Sequence, residues 1–316
     1  MNILITGAAG FIGFHLSLYL KSRKDKVLGL DNFNCYYDKN LKLAREKILN
    51  KNDIEIIHAD IRDKNIINEL IYKNKITHVI HLAAQAGVRN SLINPDDYIA
   101  SNLEGFISLL ECCKNRSNLK VIYASSSSVY GKNKKVPFST SDPTEAPTNL
   151  YGATKKANEL IAHSYHYLFN IPLIGLRYFT AYGPWGRPDM AYYKFTDSII
   201  NNKPINVFGY GNMKRDFTYI DDIVEGTVAA LDSDIDFDIF NLGNSLPIKI
   251  LDLIALIEKL LNKKAIINML PIQKGEVIET YADISKSQRL LKFDPKISLE
   301  EGLNKFIDWY KNYQNP

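Results

Sequence analysis

The opening stretch Met1-Asn2-Ile3-Leu4-Ile5-Thr6-Gly7-Ala8-Ala9-Gly10-Phe11-Ile12-Gly13 constrains this chain more than any other segment. An apolar run of strand length enters a turn with spaced glycines, and a helix-like run leaves it. Gly7, Gly10 and Gly13 permit a tight turn and close backbone approach to a pyrophosphate, while the helix start brings free N–H groups and the positive end of its dipole. Spaced glycines alone are common; strand, turn and helix in this order make the reading specific. The second apolar run ends at Leu30-Asp31, eighteen residues past Gly13. A carboxylate there accepts both ribose hydroxyls of an adenosine. No Arg or Lys stands at positions 32–34, so a 2′-phosphate would meet Asp31 unneutralised, which favours NAD over NADP. Asp60-Ile61 and Leu82-Ala83-Ala84 follow two further apolar runs. The first suits the adenine edge, and the second is small enough to let a cofactor lie against the sheet edge. For both, plain loop chemistry or packing is an equal reading.

The rest of the first half repeats the same alternation. Strands are expected at Asn2–Thr6, Lys26–Leu30, Ile54–His58, His78–Leu82, Lys120–Ala124 and Leu173–Arg177, with helices near Phe11–Ser22, Leu41–Asn50, Lys64–Tyr72, Pro95–Lys114 and Tyr151–Phe169. This order predicts an α/β fold: a doubly wound, Rossmann-type parallel sheet with helices on both faces. The second half is less regular, with helices near Tyr192–Asn201, Ile223–Ala230, Ile250–Leu261 and Leu299–Tyr313; Ser298 and Glu301 form a capping box for the last. A cofactor domain over 1–177, regaining a segment near 216–242, and a smaller substrate-binding α/β domain over 178–316 are expected. The odd count of three cysteines, two of them adjacent, offers no metal-ligand spacing and suits a reducing cytoplasm. No apolar run approaches the roughly 20 residues of a membrane span. The net charge of +4 lacks a basic stripe, so neither a nucleic-acid partner nor a metal is called for.

Tyr-x-x-x-Lys puts a phenol and an ammonium one turn apart on one helical face. Of Tyr130/Lys134, Tyr151/Lys155 and Tyr210/Lys214, only Tyr151/Lys155 continues into a helix. Ser125-Ser126-Ser127-Ser128 stands at the end of the fifth strand, on the ligand edge of such a sheet. Removing hydride from a sugar carbon requires a base on the attached hydroxyl. A free tyrosine, with a pKa of about 10, misses neutrality by about 4 kcal/mol. One cation at about 4 Å supplies around 4 kcal/mol at an effective dielectric near 20. Lys155 and the nicotinamide charge are therefore expected to make Tyr151 a usable phenolate, with Ser126 holding the hydroxyl in line.

With these pieces in place, the chain resembles the extended short-chain dehydrogenase/reductase family over nearly its full length. The resemblance rests on Thr6–Gly13, His81-Leu82-Ala83-Ala84, Ser125–Gly131, Tyr151-Gly152-Ala153-Thr154-Lys155 and Arg177-Tyr178-Phe179. More narrowly it resembles the UDP-glucuronate 4-epimerases, through Asp31–Asp38, Gln85-Ala86-Gly87-Val88-Arg89, Tyr182–Ala191 and Lys214–Asp222. The resemblance implies reversible epimerisation of a UDP-sugar: Tyr151 takes the C4 hydroxyl proton as hydride leaves for NAD, the 4-keto sugar turns over, and hydride returns to its other face. Such a product serves polysaccharide assembly. Carried over by residue, Ser126, Tyr151 and Lys155 are catalytic. Phe11, Ile12, Asn32, Gln85 and Tyr178 join the cofactor contacts. Arg89 contacts substrate, Arg215 faces the UDP phosphates, and Thr180, Arg187 and Ser127 or Ser128 hold the sugar carboxylate. Glu276 reaches the UDP ribose, although the family more often has Asp there. From the residues alone, a planar guanidinium at Arg187 suits bidentate recognition of a carboxylate.

Sister decarboxylases and dehydratases place acidic residues where this chain has Ser127 and Ser128, so neither elimination nor decarboxylation is expected. UDP-glucose/UDP-galactose epimerases, which usually carry Asn where Thr180 stands and lack the Trp185-Gly186-Arg187-Pro188 loop, are the nearest alternative. Acceptance of an N-acetylhexosaminuronate stays open, and a non-catalytic NAD-binding scaffold is the alternative of another class. The resemblance also implies a homodimer through the helices near Pro95–Lys114 and Tyr151–Phe169, with Leu103, Phe106, Leu109 and Leu110 as candidate interface residues or monomer core.

Overall fold

The computed structural model describes residues 1–114, 116, 119–272 and 277–314. In chain order its principal elements are β1 (Asn2–Thr6), α1 (Phe11–Ser22), β2 (Lys26–Asp31), α2 (Lys39–Lys51), β3 (Glu55–His58), α3 (Lys64–Lys73), β4 (His78–His81), α4 (Pro95–Tyr98), α5 (Gly105–Cys113), β5 (Lys120–Ser126), α6 (Leu150–Phe169), β6 (Leu173–Tyr178), β7 (Thr180–Tyr182), α7 (Ala191–Ile200), β8 (Pro204–Phe208), β9 (Lys214–Tyr219), α8 (Ile220–Asp232), β10 (Phe237–Leu242), β11 (Pro247–Lys249), α9 (Ile250–Leu261), β12 (Ile266–Leu270), β13 (Glu279–Thr280), α10 (Ser285–Leu291) and α11 (Leu299–Gln314).

A seven-stranded sheet in the order β3-β2-β1-β4-β5-β6-β10 forms the frame. Every pairing in it is parallel. Its strands are short apolar runs because both faces are covered; all six residues of β6 are buried. The order reverses between β1 and β4, and at such a switch point the loops after the two strands diverge and leave a crevice. Those loops begin with Gly7 and Leu82. Beyond the frame, β9 pairs with β7, β11 and β13, while β8 and β12 form a separate parallel pair. No helix among the described residues is long and apolar enough to cross a membrane.

Local chemistry sets the helix ends. Asp38 and Asp63 cap α2 and α3 by accepting early N–H groups, and Asn149 caps α6 through the Gly152 N–H at 2.8 Å. The capping box before α11 is half made: Ser298 Oγ accepts from Glu301 N at 3.2 Å, but the Glu301 carboxylate turns to Lys305. The run near Pro95–Lys114, expected as one helix, is interrupted by a π-helical stretch at Ile99–Glu104. The extra residue turns Asn102 inward, where it holds both polar groups of the Gln85 backbone and donates to Thr154 Oγ1 on α6. Phe106, Leu109 and Leu110 are fully buried within the monomer, so they belong to its core and are not interface residues. The exposed apolar side chains of this helical pair are instead Ile99, Ile107, Leu160, Tyr167, Leu168 and Phe169.

Helix α6 is fastened to the sheet by charge. Glu159 receives Arg177 of β6 in a bidentate pair at 2.8 and 2.9 Å and accepts from Ser125 Oγ of β5 at 2.6 Å. Both charged side chains are almost fully buried. Removing one member strands the other charge, so Glu159→Ala is expected to cost about 3–5 kcal/mol in urea denaturation, whereas the apolar pair Glu159→Leu/Arg177→Met recovers most of that loss. A double variant as unstable as the single would refute this account of the pair.

Candidate active site

A cavity of about 620 Å³ runs along the carboxyl ends of the central strands and under the loops of the second half. Its floor is the glycine turn. Gly7 has φ +73°, and a Cβ there would lie 2.8 Å from Ala83 N; a Cβ on Gly13 would lie 2.2 Å from Gly7 O. Helix α1 begins without a side-chain cap and without an acid in its first turn. The N–H groups of Gly7 to Gly10 are spent within the turn and on β2, and the uncapped helix start beside it offers a bare backbone cradle, which is what a dinucleotide pyrophosphate requires. Gly10, Phe11, Ile12, Asp31, Asn32, Ile61, Leu82, Ala83, Ala84, Gln85 and Tyr178 line the same cavity. Asp31 is held by the N–H groups of Ala9 (3.1 Å) and Phe33 (2.8 Å). These residues fit NAD.

Ala59 and Ile61, on either side of Asp60, line the cavity, and the Asp60 carboxylate accepts from Arg62 at 2.8 Å and from Asn32 at 3.1 Å. One expectation at this end needs correction: Asp31 does not lack a neighbouring cation. Lys42 Nζ of α2 sits 3.7 Å from Asp31 Oδ1 and donates to Asn34 Oδ1 at 2.8 Å. Inspection of positions 32–34 missed it because the ammonium arrives from the next helix.

Ser126 ends β5, and Tyr151 and Lys155 lie in the first turns of α6; all three line the cavity. The Ser126 hydroxyl accepts from Ser128 N–H at 3.2 Å and lies beside the Tyr151 phenol. Burial pushes the Tyr151 pKa up, and the Ser126 hydroxyl and the Arg187 charge pull it back. Arg187 is thus a further cation acting on the phenol, and Lys155, one helical turn on, donates from Nζ to Ala124 O at 2.8 Å, with burial lowering its pKa to about 8. All four serines line the cavity, and of these the Ser125 hydroxyl is committed to Glu159.

The remaining wall comes from the second half. Thr180, Arg187 and Arg215 line it, as does Arg89 from the loop after β4. One bidentate edge of Arg187 is already taken: Nε and Nη2 pair with Asp189 at 2.9 and 2.5 Å, and Asp189 also accepts from Tyr36 OH at 3.0 Å. Burial disfavours both charges, and their mutual attraction outweighs it, holding Arg187 charged and Asp189 ionised. That pair takes the Nε–Nη2 edge of the guanidinium and leaves the Nη1–Nη2 edge to face an anion. Arg89 stacks over the Phe208 ring at 4.5 Å, and Arg215 donates to Lys214 O at 2.8 Å. Glu276 lies outside the described residues. Tyr36 and Asp189 were both within the quoted segments, yet 153 residues separate them, and no spacing rule joins them.

Comparison with known proteins agrees with this geometry. Residues 3–243 match the model of the NAD dependent epimerase/dehydratase family. UDP-glucuronate 4-epimerase 2 of Arabidopsis thaliana is 47% identical over 99% of this chain and 76% of its own length. Protein CapI of Staphylococcus aureus is 44% identical over 99% of both chains. Among solved structures, UDP-glucuronic acid 4-epimerase from Bacillus cereus, in complex with UDP-glucuronic acid and NAD, superposes with a TM-score of 0.93 at 40% identity, covering 99% of this chain and 100% of that one. With the glycine cradle, the Ser126–Tyr151 pair and these matches in agreement, the chain belongs to the NAD dependent epimerase/dehydratase family.

Proposed function

We propose that the protein is a UDP-glucuronate 4-epimerase that interconverts UDP-glucuronate and UDP-galacturonate with retained NAD. The observation that carries this reading is the convergence, in one cavity, of the Ser126–Tyr151 pair, the glycine cradle and the Arg187 guanidinium. Residues 1–177, with α8 and β10, form the cofactor half, and the remainder forms the sugar-nucleotide half. The chemistry that NAD supplies when bound is reversible hydride acceptance from a sugar carbon. Tyr151 takes and returns the proton of the C4 hydroxyl, and Ser126 fixes the phenol that does so. Lys155 anchors the helix start to Ala124 and keeps a positive charge in the site below about pH 8. Arg187, with Thr180, Ser127 and Ser128, holds the sugar carboxylate; Arg89 and Arg215 face the UDP moiety. A neutral hydroxymethyl group gives Arg187 no partner, which disfavours UDP-glucose as substrate.

NMR of the purified protein with UDP-glucuronate is expected to show UDP-galacturonate, no carbon dioxide release and no conversion of UDP-glucose. Tyr151→Phe lowers kcat by about 10²–10⁴-fold. Arg187→Ala weakens UDP-glucuronate by about 10–100-fold, the worth of a hydrogen bond to a charged group. Full activity on UDP-glucuronate in Arg187→Ala would remove the substrate assignment.

The pH dependence follows from Lys155. Its folded pKa is lowered to about 8, so the ammonium present at neutrality is lost as pH rises through that value. The kcat profile is expected to fall on an alkaline limb near pH 8, and Lys155→Met to lack that limb; an unchanged limb in the variant assigns it to another group.

The partner is a second copy of the chain. Leu160, Tyr167 and Leu168 form an exposed apolar stripe along α6, beside Ile99 and Ile107. Light scattering is expected to give a dimer, and Leu160→Glu/Leu168→Glu a monomer; a monomeric parent protein would exclude this interface. The three free thiols, Cys35, Cys112 and Cys113, are in keeping with a cytoplasmic setting.

A further inference from the structure

Among the described residues, Arg45 of α2 is the most buried cation that the proposed mechanism does not use. It is fully shielded from solvent, and its acceptors are all neutral oxygens: Ala9 O and Tyr37 OH at 2.8 Å through Nη1, and Trp185 O at 2.6 Å and Gly186 O at 3.4 Å through Nη2. Its Nε has no acceptor among the described residues. A buried guanidinium without a carboxylate is costly, and replacement by an apolar side chain of similar volume is ordinarily tolerated or favourable. The two groups it joins explain its presence. Ala9 lies inside the glycine turn, and Trp185 and Gly186 directly precede Arg187.

We propose that Arg45 is a positioning residue that couples the dinucleotide turn to the loop presenting Arg187 to the sugar. On the turn side, Asp31 holds the Ala9 N–H and Arg45 holds the Ala9 carbonyl, so both polar groups of that residue are fixed. On the loop side, the Trp185 backbone stands at φ +60°, in the left-handed region, and its ring packs on Phe14, Trp309 and Tyr313. A planar fork holds carbonyls on two separate loops at once, which a lysine ammonium cannot do with the same geometry. The Arg45 charge lies behind the turn, so a pyrophosphate held there offsets a charge that the described chain leaves uncompensated. Occupation of the turn steadies Arg45, and through it the Trp185-Gly186 backbone and the entry of Arg187 into the cavity.

This inference rests on the proposed substrate and cofactor, and its test separates the two. Hydrogen exchange of the wild-type protein, with NAD and after its removal, reads the amides of Trp185, Gly186 and Arg187. NAD is expected to protect them in the wild type and not in Arg45→Lys, which keeps the charge and loses the fork. Calorimetry on the NAD-loaded proteins then compares UDP-glucuronate with UDP. In Arg45→Lys the ratio of the two affinities is expected to fall about tenfold, within the usual range of coupling between sites, and KM to rise more than kcat falls. Exchange in the wild type that is insensitive to NAD, or an unchanged affinity ratio in Arg45→Lys, overturns the proposal. Should the variant fail to fold, the wild-type exchange decides alone. A wild type that binds UDP but not UDP-glucuronate removes the substrate assignment instead, and leaves the exchange result to judge the coupling.

Discussion

The buried pair of Glu159 and Arg177 is the constraint on which the rest of the site depends. Helix α6 carries Tyr151 and Lys155 at its start and Glu159 one turn further on. Through Glu159 the helix is bound to β6, by Arg177, and to β5, by Ser125. The Arg177 guanidinium also lies over the Tyr130 ring at 4.8 Å, and Tyr130 OH donates to Asn241 of β10 at 2.7 Å. Three strands and one helix are thereby fixed in register at their ligand edge. Desolvation of two charges leaves such a pair little net advantage over apolar packing. Its contribution is orientation: the pair admits one placement of α6, and that placement brings the phenol to Ser126. The π-helical stretch adds a second tie to the same helix, because Asn102 joins the loop after β4 to Thr154.

Much of this was legible in the chain because it is local. The glycine turn, the strand that precedes it, Asp31 and the Tyr151/Lys155 spacing each sit within one element or one connection, and periodicity places such features. The illegible parts are contacts between elements. Asp31 meets Lys42 only because α2 folds back over β2, and Arg187 meets Asp189 in a loop whose shape is set elsewhere, by Arg45 and by aromatic packing on α11. The hydrogen bond of Lys155 was out of reach for a related reason: a helical wheel puts its Cα on the face of Tyr151 but does not fix where a four-carbon chain ends, and here it ends on a strand carbonyl.

The same geometry bears on which reactions the cavity is built to avoid. Loss of water or of carbon dioxide from a 4-keto sugar asks for an acid or base beside the sugar ring. Among the described residues, the lining contains two carboxylates, Asp31 and Asp189. Asp31 is spent on two backbone N–H groups at the cofactor end. Asp189 is bound along one face by Arg187 and on an oxygen by Tyr36, and its pKa is lowered, so it is a poor proton acceptor at neutral pH. The positions that would most directly bring an acid to the ring are Ser127 and Ser128, whose hydroxyls donate and accept hydrogen bonds without ionising. In the proposed reaction Tyr151, beside Ser126, is the group that exchanges a proton with the sugar, and a single proton-transfer group suffices for removing and restoring hydrogen at one carbon. Restraint toward elimination arises here from which side chains are tied up, as much as from which are present.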